Sequence, residues 1–133
     1  MEKFKTRYNK LNSAQKKAVD TIDGPLLVVA GPGTGKTELL SMRAANILRA
    51  TDTLPENILC LTFTDSGANA MRARLASIIG TDAYKVAIQT FHSFSTEIIN
   101  HHSEYFYRGA DFSPADEVAT YSILTDIFEE LDY

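Results

Sequence analysis

Lys36 and Thr37 close an eight-residue stretch, Ala30-Gly31-Pro32-Gly33-Thr34-Gly35-Lys36-Thr37, that combines three glycines with a cation and a hydroxyl. Glycine has no Cβ, so successive backbone N–H groups can converge on an anion there. An apolar run, Leu26-Leu27-Val28-Val29, precedes the stretch, and an amphipathic pattern, Glu38-Leu39-Leu40-Ser41-Met42-Arg43, follows it. A strand, a glycine-rich loop and a helix in that order make a phosphate cradle. The helix start adds unpaired N–H donors and the positive end of its dipole. In such a cradle the lysine reaches the β- and γ-phosphates and the hydroxyl, here Thr37, binds Mg²⁺. The pattern calls for glycine at position 30, where this chain has alanine, a residue that ends a strand well if its φ is negative. The plain alternative is a glycine-rich turn with Lys36 merely solvated. The Gly-Lys-Thr run and both flanking elements favour a site for a nucleoside triphosphate.

These residues need a scaffold, and the chain has enough material for one. At 133 residues with 44% apolar content it fits one compact domain, with little left for a second. Its apolar runs all fall short of the roughly 20 residues of a membrane span. The start, Met1-Glu2-Lys3-Phe4-Lys5, lacks the apolar core of a signal peptide, so a cytoplasmic protein is expected. The single Cys60 excludes an internal disulfide and a cysteine-based zinc site, and its neighbours Leu59 and Leu61 mark it as a core thiol. The net charge of −4 hides an asymmetry. Residues 1–49 hold nine lysines and arginines against four acids, whereas residues 50–133 hold four against thirteen. That distribution argues against a general polyanion binder.

Along the chain, residues 1–10 read as a mobile, basic lead-in. From Leu11, one helical face carries Leu11, Gln15, Ala18, Val19 and Ile22, with Asn12 and Gln15 at capping-box spacing and Asp23-Gly24-Pro25 as the stop. A strand is expected at about 26–30, then a helix at about 36–50 with Leu40, Ala44, Ile47 and Leu48 inward. The apolar run 58–63 reads as a strand covered on both faces. After the turn Thr64-Asp65-Ser66-Gly67 comes a helix whose Ala68, Met71, Leu75 and Ile78 face the core, ended by Gly80, while Arg72 and Arg74 face elsewhere. A short strand at 85–90 runs into a helix opening at Phe91-His92-Ser93-Phe94. Tyr105, Phe106, Tyr107 and Phe112 lie in a loop, and Ser113-Pro114 starts a last amphipathic helix with Val118, Tyr121, Leu124, Ile127, Phe128 and Leu131 on its apolar face. Strands alternating with helices imply an α/β domain with a parallel sheet flanked by helices.

Ligands of an open parallel sheet gather at the carboxyl ends of its strands. Three expected strands end in polar turns, at 31–37, 62–66 and 90–93, which should share one rim. Hydroxyls and helix-start N–H groups hold backbone phosphates, and Phe or His rings stack on unpaired bases. The second and third turns, with Thr62, Phe63, Thr64, Thr90, Phe91 and His92, therefore suggest single-stranded nucleic acid. Each has a structural reading too: Thr62 and Thr64 as a β-former and a helix cap, Phe63 and Phe91 as core, His92 as a capping or core histidine. The capping box likewise accounts for Gln15 without a ligand. Glu97, His101 and His102 fit no strong zinc spacing.

Four segments together resemble the superfamily 1 helicases of the UvrD/Rep/PcrA group over Leu11 to about Phe94. Leu11-Asn12-Ser13-Ala14-Gln15 is similar to the family's Q motif, 30–37 to motif I, Leu61-Thr62-Phe63-Thr64 onward to motif Ia, and Thr90-Phe91-His92-Ser93 to motif Ib. The resemblance implies a RecA-like P-loop domain using ATP and Mg²⁺. It makes Gln15 the adenine reader, a role suited to a bidentate amide, and Lys36 and Thr37 the catalytic pair, Thr37 with the metal. Nucleotide-site candidates are then Gln15, Gly31, Gly33, Thr34, Gly35, Lys36, Thr37 and Glu38. Those for DNA are Thr62, Phe63, Thr64, Thr90, Phe91 and His92. Two positions depart from the family's usual pattern. Asp65-Ser66 stands where Asn-Lys is frequent, and Glu38 where the founding members carry Arg, so nuclease-fused RecB-like relatives stay open. The acidic Walker B motif and the second domain's arginine finger, which phosphoryl transfer uses, have no counterpart after Phe94. The resemblance thus implies an N-terminal portion, with 1–112 as a partial ATP-binding domain and 113–133 as the start of an inserted helical subdomain, inactive alone. In related folds later strands flank the P-loop strand, so exposed sheet edges and self-association are expected. Alternatives from other classes are a small-molecule kinase or other P-loop NTPase, and an interaction module using the acidic last helix. The phosphate and stacking contacts do not separate DNA from RNA.

Overall fold

A computed structural model of the protein describes residues 2–106 and 115–131. The chain forms two compact units, Met1–Phe94 and Ser95–Tyr133. In the first, α1 (Glu2–Asn9), α2 (Ser13–Asp20) and α3 (Lys36–Ala50) precede a β-α-β unit of β1 (Leu59–Thr62), α4 (Asp65–Ile79) and β2 (Ala87–Thr90). The two strands are parallel, with Leu59 opposite Ala87 and Thr62 opposite Thr90.

The expected lead-in is instead the helix α1. Phe4 and Tyr8, four residues apart, share a face and stack at 5.8 Å between ring centroids. Phe4 is buried, and the Arg49 guanidinium from α3 lies 4.8 Å over its ring. The Tyr8 hydroxyl donates to Asp20 at 2.5 Å, and that bond is the main reason its pKa is raised.

The capping box forms as expected. Asn12 Oδ1 accepts from the Gln15 N–H at 2.9 Å, and Gln15 Oε1 accepts from the Asn12 N–H at 3.0 Å. The helix stops at Asp20, ahead of the expected Asp23-Gly24-Pro25 stop. Its last carbonyls are gathered by Arg43 of α3, which donates to Ala18, Thr21 and Ile22, a cation meeting the negative end of a helix. Helix α3 has its expected span, and of its expected inward residues Ala44 is buried and Leu48 packs against the core. Leu39 and Met42 are buried and Leu40 is exposed. Small Ala44 and Ala45 let α2 and α4 approach, and the buried Asn46 Nδ2 donates to the Val19 carbonyl at 3.0 Å.

Helix α4 keeps its expected core face and stop, but it begins at Asp65, inside the expected turn at 64–67. Ala68, Met71, Leu75 and Ile78 are buried, and Gly80 ends the helix at φ 77°, a conformation glycine adopts without strain. These side chains complete one core with Phe4, Leu11, Val19, Leu39, Met42, Val86 and Ile88. Cys60 packs against it, and burial pushes its thiol pKa up, so the thiol stays protonated and weakly reactive. The guanidinium of Arg72 reaches β2, donating to the carbonyls of Val86 at 3.3 Å and Ile88 at 2.7 Å.

The expected strand at 26–30 is absent among the described residues. A strand exists through its ladder, and here β1 bonds to β2 with no pairing to 26–30. Leu27 and Val29 are 87% and 90% exposed.

In the second unit, the end of α5 (Phe91–His101) leads to a 3₁₀ turn, Ser103–Tyr105, and α6 spans Glu117–Glu130. Asp116 caps α6, its carboxylate accepting from the Ala119 N–H at 2.7 Å. The expected cap Ser113 with Pro114, and the loop residues Tyr107 and Phe112, lie outside the described residues. The apolar positions of α6 are present as read, but none of its described residues is buried. No helix among the described residues is long and apolar enough to cross a membrane.

Candidate nucleotide and nucleic-acid site

The glycine loop enters α3 through two left-handed residues, Gly33 at φ 73° and Gly35 at φ 81°. A side chain at either would be strained, since a Cβ collides with its own backbone in that region. Gly35 is the N-cap and no side chain caps α3, whose first helical bond runs from the Leu39 N–H to the Gly35 carbonyl at 2.9 Å. The N–H groups of Lys36, Thr37 and Glu38 therefore lie ahead of the helical ladder, where an anion is favoured. The Thr34 hydroxyl braces the loop by donating to the Gly31 carbonyl at 2.8 Å. Lys36 Nζ curls over it, donating to the carbonyls of Gly31 at 2.8 Å and Ala30 at 3.3 Å. An ammonium, a row of amides and the Thr37 hydroxyl one residue on are a donor set that fits a phosphate chain with a hard divalent cation. A cavity of about 400 Å³ adjoins them, lined by Gln15, Gly31, Thr34 and Lys36.

Gln15 joins α2 to this loop. While its Oε1 serves the capping box, its Nε2 donates to the Thr34 carbonyl at 3.2 Å. Both ends of the Gln15 amide are thus engaged by the protein, one by the capping box and one by the loop. Glu38, in the first turn of α3, faces away from the loop into a cluster of arginines. Its two oxygens take Arg7 Nη1 at 2.9 and 3.1 Å, and Oε2 also takes Arg74 Nη1 at 3.2 Å. Arg7 Nη2 donates to Ser77 Oγ at 2.9 Å. Sequence reasoning missed Arg7, Arg74 and Ser77. Their only signal was an acid at a position where the resembling family carries a base.

The other two turns sit side by side. The register that sets Thr62 opposite Thr90 brings the ends of β1 and β2 together, and each strand leads into a helix start. The common rim expected for three turns is thus built by the sheet for two of them, because the glycine loop follows an unpaired segment. Thr62 Oγ1 donates to the Thr64 carbonyl at 2.9 Å, and Thr64 Oγ1 accepts from the Gly67 N–H at 3.1 Å. Thr90 Oγ1 accepts from the Ser93 N–H at 3.1 Å. Thr64 is the helix cap and Thr62 the strand residue that their structural readings described, and Thr90 takes the Ser93 N–H as a cap would. The rings do not follow theirs: Phe63 is 84% and Phe91 55% exposed, and His92 is exposed beside them.

A parallel β-α-β unit fed by helices makes this a partial RecA-like α/β domain. Residues 11–133 match the UvrD/REP helicase N-terminal domain, and the chain belongs to that family. It is 38% identical over 120 residues to an ATP-dependent DNA helicase PcrA of Bacillus subtilis, covering 90% of this chain and 16% of that protein. A Staphylococcus epidermidis PcrA is 36% identical over 119 residues, covering 90% and 16%. A Staphylococcus aureus PcrA is 34% identical over 121 residues, covering 91% and 17%. The chain thus spans about a sixth of the length of these relatives.

Proposed function

We propose that the chain is the ATP- and single-strand-binding first part of a cytoplasmic, ATP-dependent DNA helicase. The observation that carries this reading is the glycine loop, with left-handed Gly33 and Gly35 ahead of an uncapped helix and Lys36 held over it. ATP with Mg²⁺, when bound, supplies the free energy of phosphoryl transfer. The protein's part is to bind and orient. The amides of Gly33 to Thr37 hold the phosphates, the Lys36 ammonium offsets their charge, the Thr37 hydroxyl holds the metal, and Gln15 reads the adenine edge. Thr62, Thr64, Thr90 and His92 line a path for DNA, along which Phe63 and Phe91 stack on bases. The 133 residues bind nucleotide without turning it over.

For the nucleic-acid half, the test is fluorescence anisotropy with a labelled oligothymidine. Phe63→Ala is expected to weaken binding about fivefold or more, since a base stacked on an aromatic ring contributes roughly 1–3 kcal/mol. An unchanged affinity, or equal binding to a duplex, would turn the reading toward a small-molecule P-loop enzyme.

The chain also self-associates along the open edge of β1. Sedimentation at micromolar concentrations should find a species above monomer mass, and a single ideal monomer would refute this.

A further inference from the structure

We propose that Arg7 is a base-recognition residue, presenting a flat guanidinium to the nucleobase of a triphosphate whose phosphates lie on the glycine loop. The inference rests on the triphosphate reading above. A cavity of about 860 Å³ opens between α1, α2, α3 and α4, lined among others by Lys3, Arg7, Lys10, Gln15, Glu38 and Ser77. Its size is that of a small-molecule site. Gln15 lines both this cavity and the one at the glycine loop, so the two spaces meet at its side chain. A ligand with phosphates on one side of Gln15 extends its nucleoside past that amide into the larger space.

Arg7 is built for such a role. Two bonds to Glu38 and one to Ser77 fix the guanidinium at both ends. Glu38 is itself fixed by Arg74, and Ser77 Oγ donates to the Arg74 carbonyl at 2.5 Å. With its edge engaged by three bonds, the side chain is still 35% exposed and lines the cavity. A planar, weakly hydrated cation with a fixed edge and an open face stacks on aromatic rings, purines included. A point charge such as Lys3 or Lys10 lacks that plane. The pairing also limits the site's net charge, because Glu38 neutralises part of the arginine cluster.

Calorimetric titration of the 133-residue chain with MgATP and with inorganic tripolyphosphate separates the base from the phosphates. Arg7→Ala is expected to weaken ATP about tenfold and to leave tripolyphosphate within twofold. Arg7→Lys keeps the ion pair to Glu38 but removes the plane, and should lose ATP by a similar factor. It decides the matter should the alanine variant fold poorly. Full ATP affinity in Arg7→Lys overturns the proposal. So does a parallel fall in tripolyphosphate affinity, which would make Arg7 a phosphate ligand. Should the unaltered chain bind neither compound, the triphosphate reading itself fails and takes this inference with it. Tripolyphosphate binding that survives intact localises any failure to Arg7.

Discussion

Lys36→Ala is expected to lower the affinity of the chain for MgATP roughly 100-fold while barely moving its thermal unfolding. The two effects separate because of where Nζ sits. It is exposed and donates to the carbonyls of Ala30 and Gly31, which water can serve when the ammonium is gone. Stability should therefore change by no more than about 0.5 kcal/mol, as for other surface positions. On a triphosphate the same ammonium meets concentrated negative charge. Two charge-assisted hydrogen bonds, each worth about 1.5 kcal/mol at the low end, correspond to roughly 100-fold in affinity. Calorimetry with MgATP, beside a melting curve, checks both halves. The same preparation should show no steady phosphate release. Turnover that Lys36→Ala removes would overturn the proposal of binding without hydrolysis.

Leu75→Ala should be the most damaging single truncation. Leu75 is fully buried in the middle of α4, and α4 packs against both α3 and β2. Removing a buried leucine side chain costs about 2–5 kcal/mol, the spread reflecting how far the site collapses. Domains of this kind have only about 5–15 kcal/mol in total, and small ones lie toward the lower end. The urea midpoint, followed by circular dichroism, should fall by a large fraction of its value. Leu27→Ala, at an exposed position, supplies the contrast with a change near zero. A loss below about 1 kcal/mol at Leu75 would mean that the core is not organised around α4.

The contrast between α4 and its neighbours explains what was readable. In α4 the apolar positions Ala68, Met71, Leu75 and Ile78 recur every three or four residues and Gly80 follows, so local rules set span and phase together. In α3 the adjacent Leu39 and Leu40 made two phases equally good, and tertiary packing chose Leu39. The run 26–30 has strand composition, but composition does not supply a ladder partner. Helix α1 looked too polar to fold, since what secures it is Arg49 over Phe4 and Glu38 on Arg7, both more than 30 residues away in the chain. The candidate site divides in the same way. The loop was legible because backbone conformation and glycine spacing are local. The arginine cluster behind Glu38 was not, because three helices must meet before its charges do. Phe63 and Phe91 could be read as stacking rings or as core, and the exposure that decides against core is a fact of packing that no spacing encodes.

The grip of Arg72 on β2 bears on stoichiometry. The Ala87 N–H bonds to the Ile58 carbonyl of the neighbouring chain segment, so by the alternation of a parallel ladder the carbonyls of Val86 and Ile88 point to the opposite side. Those are the two that Arg72 occupies. A newcomer strand arriving there meets a guanidinium already in possession of the acceptors, whereas among the described residues the outer side of β1 has no ladder partner. Under the proposed self-association along β1, recruitment is one-sided: two copies close upon each other and a third finds the acceptors of β2 taken, which separates a finite pair from an open-ended filament.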